Sequence, residues 1–186
     1  MKRIIDIALA LACLIVLMPV ALMVALAVKL SSAGPIIYWS DRIGRHSQIF
    51  QMPKFRTMVI DTPVLATHEL EKPETWLTPI GKFLRASSLD ELPQILPILL
   101  GKMSFVGPRP ALYSQDDLIA LRQKYGVDSL RPGLTGWAQI NGRDELSIEA
   151  KVEFDLAYLR RQSVWFDMVI IAKTALKVVR RSGISH

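Results

Sequence analysis

Two adjacent carboxylates, Asp90 and Glu91, are the residues of this sequence best suited to chemistry. Arg85 precedes them, and Arg109 follows in the tight sequence GPRP at residues 107–110. Proline fixes φ, and a residue before proline favours an extended backbone, so Arg109 is predicted to be held stiffly. A firmly held guanidinium suits bidentate recognition of phosphate. The carboxylate pair and this arginine together predict a phosphoryl-transfer site.

Two serines, Ser87 and Ser88, lie directly before the carboxylates and are of the type that caps helix starts. With Ser88 as the cap, Glu91 completes a capping box and is structural, but Pro93 then removes a backbone bond inside the helix. With Asp90 as the cap, Pro93 falls in the first turn, where no such bond exists. We expect the second register, which places both carboxylates at the positive end of a helix dipole. A carboxylate pair taken alone is also typical of a solvated helix start.

Three longer motifs occur in order around these residues: SLDELPQ at 88–94, GKMSFVGPRP at 101–110 and RPGLTGWAQINGR at 131–143. Together they resemble the monotopic phosphoglycosyl transferases, a family of bacterial sugar transferases. The resemblance extends from KRIIDI at 2–7 to ALKVVRRSG at 175–183. At Pro97 and Lys102 the chain departs from the family's usual Asn and Asp, which affects the local loop shape rather than the carboxylates.

The resemblance implies transfer of a sugar-1-phosphate from a UDP-sugar to undecaprenyl phosphate or another polyprenyl phosphate, with release of UMP, as the first membrane step of glycan assembly. It also implies Mg²⁺ as a cofactor and a two-step route, in which Asp90 attacks the sugar-bearing phosphorus and the polyprenyl phosphate then displaces the aspartate. Glu91 would hold the metal with Asp90, orient Asp90 or accept the acceptor's proton. The residues leave two alternatives open: a single displacement in which Asp90 only binds metal, and a non-catalytic adaptor that binds anionic lipid.

Further cations are candidates for contact with the substrate's phosphates. Arg131 and Arg143 flank a glycine-punctuated stretch that suits close approach to a ligand but would equally form an ordinary hairpin. Lys54 and Arg56 flank an aromatic residue, a spacing that is also typical of a solvated strand face. The predicted substrate-binding residues are Lys54, Arg56, Arg85, Arg109, Arg131 and Arg143, and the candidates for supporting the site are Asp155 and Asp167.

The composition is unusual for a soluble protein. Hydrophobic residues make up 51% of the chain and the mean hydropathy is +0.28, yet the net charge is +6. A basic and apolar chain suits an anionic membrane surface, and no familiar nucleic-acid-binding motif is present. The single cysteine excludes an internal disulfide and a cysteine zinc site. The sequence therefore predicts anionic membrane lipids as partners and no nucleic acid.

Residues 7–28 carry no charge and would extend about 33 Å as one helix, long enough to span a bilayer. Pro19 falls in the middle, removes the hydrogen bond to the carbonyl of Ile15 and is predicted to bend the helix. Because cations flank both ends, a bent helix with both ends on one face satisfies the positive-inside tendency. A kinked but spanning helix is the alternative. The resemblance implies the re-entrant form at the cytoplasmic face of the bacterial inner membrane, although Met18 stands where the family often has Ser.

The rest of the chain predicts short strands and amphipathic helices. Strands are expected at 36–39 and 49–52, and helices at 114–125, 148–159 and 165–179. In the last helix, Lys173, Lys177 and Arg180 form a basic stripe, which suits a helix lying in the headgroup plane. We therefore predict an α+β, mainly α, membrane-associated fold. Residues 1–30 would form the re-entrant helix, and residues 31–186 one catalytic module at the interface.

Overall fold

The computed structural model describes residues 1–63, 72–142 and 145–180. Within these ranges the fold is mainly α-helical with two pairs of short strands, as predicted. The helices are α1 (Lys2–Ser31), α2 (Gly81–Ala86), α3 (Ile95–Leu99), α4 (Asp116–Lys124), α5 (Trp137–Ile140), α6 (Ile148–Arg161) and α7 (Val164–Arg180). The strands are β1 (Ile37–Ile43), β2 (Ile49–Phe55), β3 (Ser104–Val106) and β4 (Gly133–Thr135). A 3-10 helix, Leu89–Gln94, contains the two carboxylates and is called here the carboxylate segment.

One face of α1 packs against the rest of the chain along most of the length of the helix. Near its start, Ala10 is fully buried in a cluster with Met52 of β2. Near its end, Val24 and Val28 pack in a second cluster with Leu84 of α2. Because both ends of the helix contribute to the core, α1 is part of the folded body rather than a separate anchor.

The opposite face of α1 is apolar and exposed. Its exposed large side chains include Ile15, Val16, Leu22, Met23 and Leu26. By length and composition, α1 is the one helix of the described residues that could cross a membrane. The helix continues through Pro19 as one element, so the predicted bend and re-entrant path stay predictions.

Charged side chains attach the first turn of α1 to the rest of the protein. Lys2 Nζ lies 2.6 Å from Asp167 Oδ2 on α7, and Oδ1 of Asp167 accepts a hydrogen bond of 2.6 Å from the Tyr158 hydroxyl. Arg3 Nη2 donates to the carbonyl oxygen of Leu99, at the end of α3, at 2.7 Å. The start of α1 is therefore held on the same body that packs against its end.

Asp6 also attaches α1 to the rest of the protein, through a buried side chain. Its side chain is 4% exposed and accepts hydrogen bonds from the Ser104 hydroxyl at 2.9 Å and the Phe105 amide at 3.1 Å. A buried carboxylate is tolerated only where hydrogen bonds or charges replace water. Asp6 therefore ties α1 to β3, the strand that leads into the GPRP turn.

The antiparallel hairpin of β1 and β2 confirms the two strands predicted in this part of the chain. Ile37 lies opposite Phe55, and the pairing continues along both strands. Phe50 and Met52 alternate with exposed residues and bury one face of the hairpin beneath α1. β2 runs beside the carboxylate segment, so the strand delivers Lys54 to the carboxylates.

β3 and β4 form a parallel pair, in which Ser104 lies opposite Gly133 and Val106 opposite Thr135. The Gly107 amide extends this pairing by donating to the Thr135 carbonyl at 2.9 Å. A Cβ on Gly133 would lie 2.1 Å from the Gly107 nitrogen, so only glycine allows this approach. The glycine-punctuated stretch therefore begins with a strand, β4, that supports the GPRP turn, and continues as the short helix α5 instead of forming a hairpin over residues 133–140.

The three helices predicted in the second half of the chain are confirmed with shifted ends. α4 starts at Asp116, α6 at Ile148 and α7 at Val164. Ser147 caps α6 by accepting a hydrogen bond from the Ala150 amide at 3.2 Å. α4 and α6 pack on each other through a small apolar cluster, and α7 packs on β3 and β4.

We expect Asp6→Ala to lower the free energy of unfolding by about 1–3 kcal/mol, because the Ser104 hydroxyl and the Phe105 amide lose a buried acceptor. Thermal unfolding of the full chain in detergent measures the change. Asp41→Ala, which removes an exposed carboxylate of β1, is the matched control and should leave the midpoint close to that of the parent. Equal midpoints for both variants would contradict a structural role for Asp6.

Candidate active site

Helical structure around the carboxylates begins at Leu89 with Ser88 in the cap position, so the prediction that Asp90 caps a helix is wrong. Ser88 has a φ of 56° and makes no side-chain cap bond, so no capping box forms either. The physical reason is burial, since this turn packs Leu89 and Leu92 against α1 and thereby offsets the backbone bond that Pro93 lacks. Because a short 3-10 helix has little dipole, the charges of the carboxylates must be offset by side chains.

Two cations from distant parts of the chain meet the carboxylate pair. Lys54 Nζ, at the end of β2, lies 2.8 Å from Glu91 Oε1 and 4.0 Å from Asp90 Oδ2. Arg109 Nη1, in the turn after β3, lies 3.9 Å from Glu91 Oε1. Lys54 is therefore part of the candidate site and does not lie on a solvent-exposed face of its strand.

The side chain of Asp90 is withdrawn from water, since the residue is 5% exposed. Burial raises the pKa of its carboxyl, and Glu91 adds to the rise, whereas Lys54 and Arg85 oppose it. Arg85 is held nearby by a hydrogen bond of 3.0 Å from Nε to the Thr57 hydroxyl. Within the described residues, Asp90 Oδ1 is buried without a hydrogen-bond partner. Such an oxygen has no hydrogen bond to lose if it attacks phosphorus or binds a metal.

Two arginines of the predicted set have contacts elsewhere in the described part of the chain, and a third lies outside it. Arg56 is buried and donates to the Pro35 carbonyl at 2.7 Å, which secures the chain that follows α1. Arg131 Nε donates to the Gly101 carbonyl at 2.9 Å. Arg143 lies outside the described residues. Contact of these three with substrate stays a prediction.

Arg122 of α4 connects Asp155, a predicted supporting residue, to Arg109. Its Nε and Nη2 lie 3.0 Å and 2.7 Å from Asp155 Oδ2, and its Nη1 donates to the Arg109 carbonyl at 2.8 Å. Asp155 is 1% exposed; burial raises the pKa of its carboxyl, and Arg122 opposes that rise. The buried pair thus holds the backbone of the turn that presents the Arg109 guanidinium. Sequence reasoning missed Arg122, because a cation on a helix carries no signal of its partner.

Asp167, the other predicted supporting residue, has a different role in the structure. It accepts the contacts from Lys2 and Tyr158 that attach the start of α1. The Tyr158 hydroxyl, whose proton goes to Asp167, also lies 3.2 Å from the carbonyl oxygen of Val106, one residue before the GPRP turn. Asp167 therefore supports the framework behind the turn and makes no contact with the carboxylate pair among its described hydrogen bonds.

A cavity of about 560 Å³ opens beside Glu91 and Arg109. Most of its walls are apolar side chains from α1, α3, β4 and α7, including Leu17, Ile95, Leu134, Ile171 and Val178. Lys177, predicted only as part of a headgroup stripe, lines this cavity as well. The carboxylate site therefore lies where a set of cations adjoins a large apolar space.

The two carboxylates fit a magnesium ion that the substrate would help to hold. Among the described residues no group of three or more His, Cys, Asp or Glu side chains could hold a metal. Protein-bound Mg²⁺ is commonly held by one or two carboxylates, with substrate phosphates and water completing the shell. Asp90, whose Oδ1 is unpartnered, and Glu91 are such a pair.

A family model and several known proteins match nearly the whole length of this chain. A family model described as "Bacterial sugar transferase" matches residues 1–181. The chain is 43% identical over 95% of its length to the UDP-glucose:undecaprenyl-phosphate glucose-1-phosphate transferase of Escherichia coli K12, of which it covers 40%. It is 36% identical over 98% of its length to the undecaprenyl-phosphate galactose phosphotransferase of Salmonella typhimurium, of which it covers 41%.

A third relative is closer to this chain in length. The exopolysaccharide production protein ExoY of Sinorhizobium fredii is 40% identical over 98% of this chain, which covers 87% of that protein. The first two relatives are longer, and the chain spans about two fifths of their length. The matched region covers nearly the whole chain in all three comparisons and therefore spans the carboxylate segment and the GPRP turn.

We expect Arg122→Met to destabilise the protein by about 3–5 kcal/mol near neutral pH, because it leaves the buried Asp155 charge without its partner. Without Arg122 the folded-state pKa of Asp155 rises further above that of the unfolded chain. The loss is therefore largest at high pH and shrinks as the carboxyl becomes protonated on acidification. Denaturant unfolding in detergent at about pH 8 and about pH 5 measures the difference.

The double variant Arg122→Met/Asp155→Asn is the control for this prediction. It removes the carboxyl that titrates, so its stability relative to the parent should change less with pH than that of Arg122→Met. An equal loss for Arg122→Met at both pH values would contradict the assignment of the penalty to the Asp155 charge.

Proposed function

Because this chain belongs to the bacterial sugar transferase family, we propose that it transfers a sugar-1-phosphate from a UDP-sugar to undecaprenyl phosphate or another polyprenyl phosphate and releases UMP. The observation that carries the proposal is the carboxylate pair of buried Asp90 and half-buried Glu91, with Lys54 and Arg109 beside it, at the edge of a large apolar cavity. A diphosphate needs the cations, and a polyprenyl chain needs the apolar space. The reaction would be the first membrane step of glycan assembly.

Asp90 is proposed to act as the nucleophile. One of its carboxylate oxygens forms a bond to the sugar-bearing phosphorus, the bond from that phosphorus to the UMP oxygen breaks, and UMP leaves with the electron pair. An oxygen of the polyprenyl phosphate then attacks the same phosphorus and releases the Asp90 carboxylate. The buried, unpartnered Oδ1 supports this role, since no hydrogen bond must be broken before it reacts.

The neighbouring residues are proposed to manage negative charge. Lys54 and Arg109 lie on the Glu91 side of the pair and would attract the diphosphate that two carboxylates alone would repel. Mg²⁺ held by Asp90 and Glu91 would supply further charge stabilisation at the phosphoryl oxygens. Glu91, whose Oε1 lies 2.8 Å from Lys54 Nζ, is proposed to have one of three roles: to orient Asp90, to hold the metal or to accept a proton from the acceptor.

The apolar cavity is proposed to receive the acceptor. Its walls from α1 and α7 suit the polyprenyl chain, and Arg109 and Lys177 would draw the phosphate head towards the carboxylates. The acceptor's phosphate would then reach the phosphorus on Asp90 without leaving the membrane surface. The donor sugar differs among the relatives, which are named for glucose and galactose, so several UDP-sugars need to be assayed.

α1 is proposed to enter the membrane and return, with the catalytic residues at the cytoplasmic face. Lys2 near its start and Val28 near its end both contact the body that carries the carboxylates. A helix that placed these two residues on opposite faces would require that body to extend through the bilayer as well. Cations flank both ends of α1, and the positive-inside tendency therefore favours the same, cytoplasmic face of the membrane for the two ends.

We expect Asp90→Asn to lower UMP release by several powers of ten, because the amide keeps the shape but loses the nucleophile. The assay is UMP release in detergent with polyprenyl phosphate, Mg²⁺ and a panel of UDP-sugars. Asp117→Asn, which neutralises an exposed carboxylate of α4, is the matched control and should retain the parent's rate. Activity of Asp90→Asn above about one hundredth of the parent's would contradict the nucleophilic role.

The same assay without acceptor separates the two-step route from a single displacement. A covalent intermediate predicts a burst of UMP of at most one per protein and a mass increase of one phospho-sugar on the intact chain. Absence of both, together with normal turnover when acceptor is added, would favour the single displacement. Absence of turnover with every UDP-sugar would favour the non-catalytic adaptor.

We expect the start of α1 and the catalytic module to be shielded alike from an impermeant thiol reagent added outside intact cells. One variant carries a cysteine inserted after Met1, which preserves Lys2, and another carries Lys124→Cys on the exposed side of α4. Cys13 is replaced by alanine in both. Lysed cells provide the positive control, in which both sites should react. Labelling of the N-terminal cysteine alone in intact cells would mean that α1 spans the membrane.

A further inference from the structure

A second cavity, of about 300 Å³, lies where α5, α6 and α7 meet. Its walls include three aromatic side chains, two cations and a hydroxyl: Trp137, Trp165, Phe166, Arg161, Lys173 and Ser163. No acidic side chain is among its described lining residues. The cavity beside the carboxylates takes other residues of α7, namely Ile171, Thr174 and Lys177, so this helix separates the two spaces. We call the second space the α7 pocket.

The two cations of the α7 pocket rest on aromatic rings. The guanidinium carbon of Arg161 lies 4.6 Å from the centre of the Phe166 ring, and Lys173 Nζ lies 5.2 Å from that of Trp137. The two rings are themselves in contact, with centres 4.9 Å apart. Such contacts hold the long side chains in place but leave their N–H groups available as donors.

The charge of the pocket is not neutralised by the described part of the protein. Neither Arg161 nor Lys173 has a carboxylate within ion-pair distance among the described residues. Asp167, the carboxylate nearest along the chain to the pocket's aromatic residues, is bound to Lys2 and Tyr158 instead. Two positioned cations without an acidic partner complement an anion of about one to two negative charges.

The surroundings of the pocket favour a lipid over a soluble anion. Trp165, at its edge, is 78% exposed. Met168 and Leu176 continue from Trp165 along the same face of α7 and are exposed as well. An exposed apolar stripe beside cations is typical of a helix that lies in a membrane interface, and tryptophan favours the headgroup level there. A soluble anion would make no use of this stripe.

We propose that the α7 pocket binds the headgroup phosphate of an anionic phospholipid, with Arg161 and Lys173 as its donors and Trp165 beside the glycerol and upper acyl chains. This site is distinct from the carboxylate pair and from the apolar cavity beside it. It goes beyond the proposed transfer reaction, since none of its residues contacts the reacting groups. A bound lipid would fix the depth and orientation of α7 at the membrane surface.

The test is native mass spectrometry of the full chain in detergent, titrated with phosphatidylglycerol. The parent should retain one phosphatidylglycerol molecule. The double variant Arg161→Gln/Lys173→Gln should bind it at least about tenfold more weakly, since each cation near an anionic lipid contributes on the order of 1 kcal/mol. The charge-preserving variant Arg161→Lys/Lys173→Arg should retain most of the affinity.

Lys82→Gln/Lys124→Gln is the matched control, because it removes the same charge from exposed positions on α2 and α4 that line neither cavity. Its affinity for phosphatidylglycerol should equal that of the parent. UMP release at saturating substrate should be the same for the Arg161→Gln/Lys173→Gln variant and the parent. Equal UMP release would show that lipid binding at this pocket is separate from the transfer reaction. If the proposed transfer reaction itself proved wrong, the phosphatidylglycerol-binding assay could still be carried out and interpreted.

Two further measurements use the parent chain alone and do not depend on the folding of any variant. Phosphatidylglycerol with a photoreactive headgroup should crosslink to peptides from α5, α6 and α7. Inorganic phosphate and glycerol phosphate should compete only weakly, because they lack the acyl chains. Equal weakening in both charge-removal variants, crosslinking confined to other elements, or binding of inorganic phosphate as tight as that of the lipid would each overturn the proposal.

Discussion

Asp90 is buried where several distant segments of the chain meet, and the surrounding side chains must offset the cost of removing its charge from water. An isolated buried carboxylate is strongly unfavourable unless cations or hydrogen bonds replace the lost solvation. Lys54 on β2 and Arg85 on α2 reduce this cost, whereas Glu91 increases it, and one oxygen of Asp90 has no partner in the described structure. The fold thus leaves the ionised form of Asp90 incompletely stabilised, and a metal ion or the bond to a phosphorus atom would stabilise it.

Arg109, which lies beside Glu91, is held by its backbone. The parallel pairing of β3 and β4 fixes one side of the GPRP turn, and the close approach of Gly133 to Gly107 permits that pairing. On the other side, the buried pair of Arg122 and Asp155 holds the Arg109 carbonyl. A fixed backbone leaves Arg109 less conformational freedom to lose when its guanidinium binds a phosphate, which favours recognition and catalysis alike.

The long apolar helix belongs to the same framework. Asp6 of α1 bonds to β3, and Lys2 bonds to α7, so contacts of the first turn reach the strand that leads to Arg109. The apolar face of α1 also forms one wall of the cavity beside the carboxylates. The position of the helix in a membrane and the geometry of the site are therefore physically connected. α7 has a similar double role, since it separates that cavity from the α7 pocket.

Much of the site's chemistry was determined by the sequence alone, because neighbours along the chain stay neighbours in the fold. The pairing of Asp90 with Glu91 and the stiffness around Arg109 needed no tertiary information. Only the tertiary structure brought Lys54 to Glu91 and placed Arg122 behind the turn. The tertiary structure also showed that the helical turn begins at Leu89 and not after Asp90. Local capping preferences could not predict this, because they take no account of the apolar side chains that the turn buries. Periodicity identifies which face of a helix or strand is apolar, but packing of the whole chain decides which segments that face contacts.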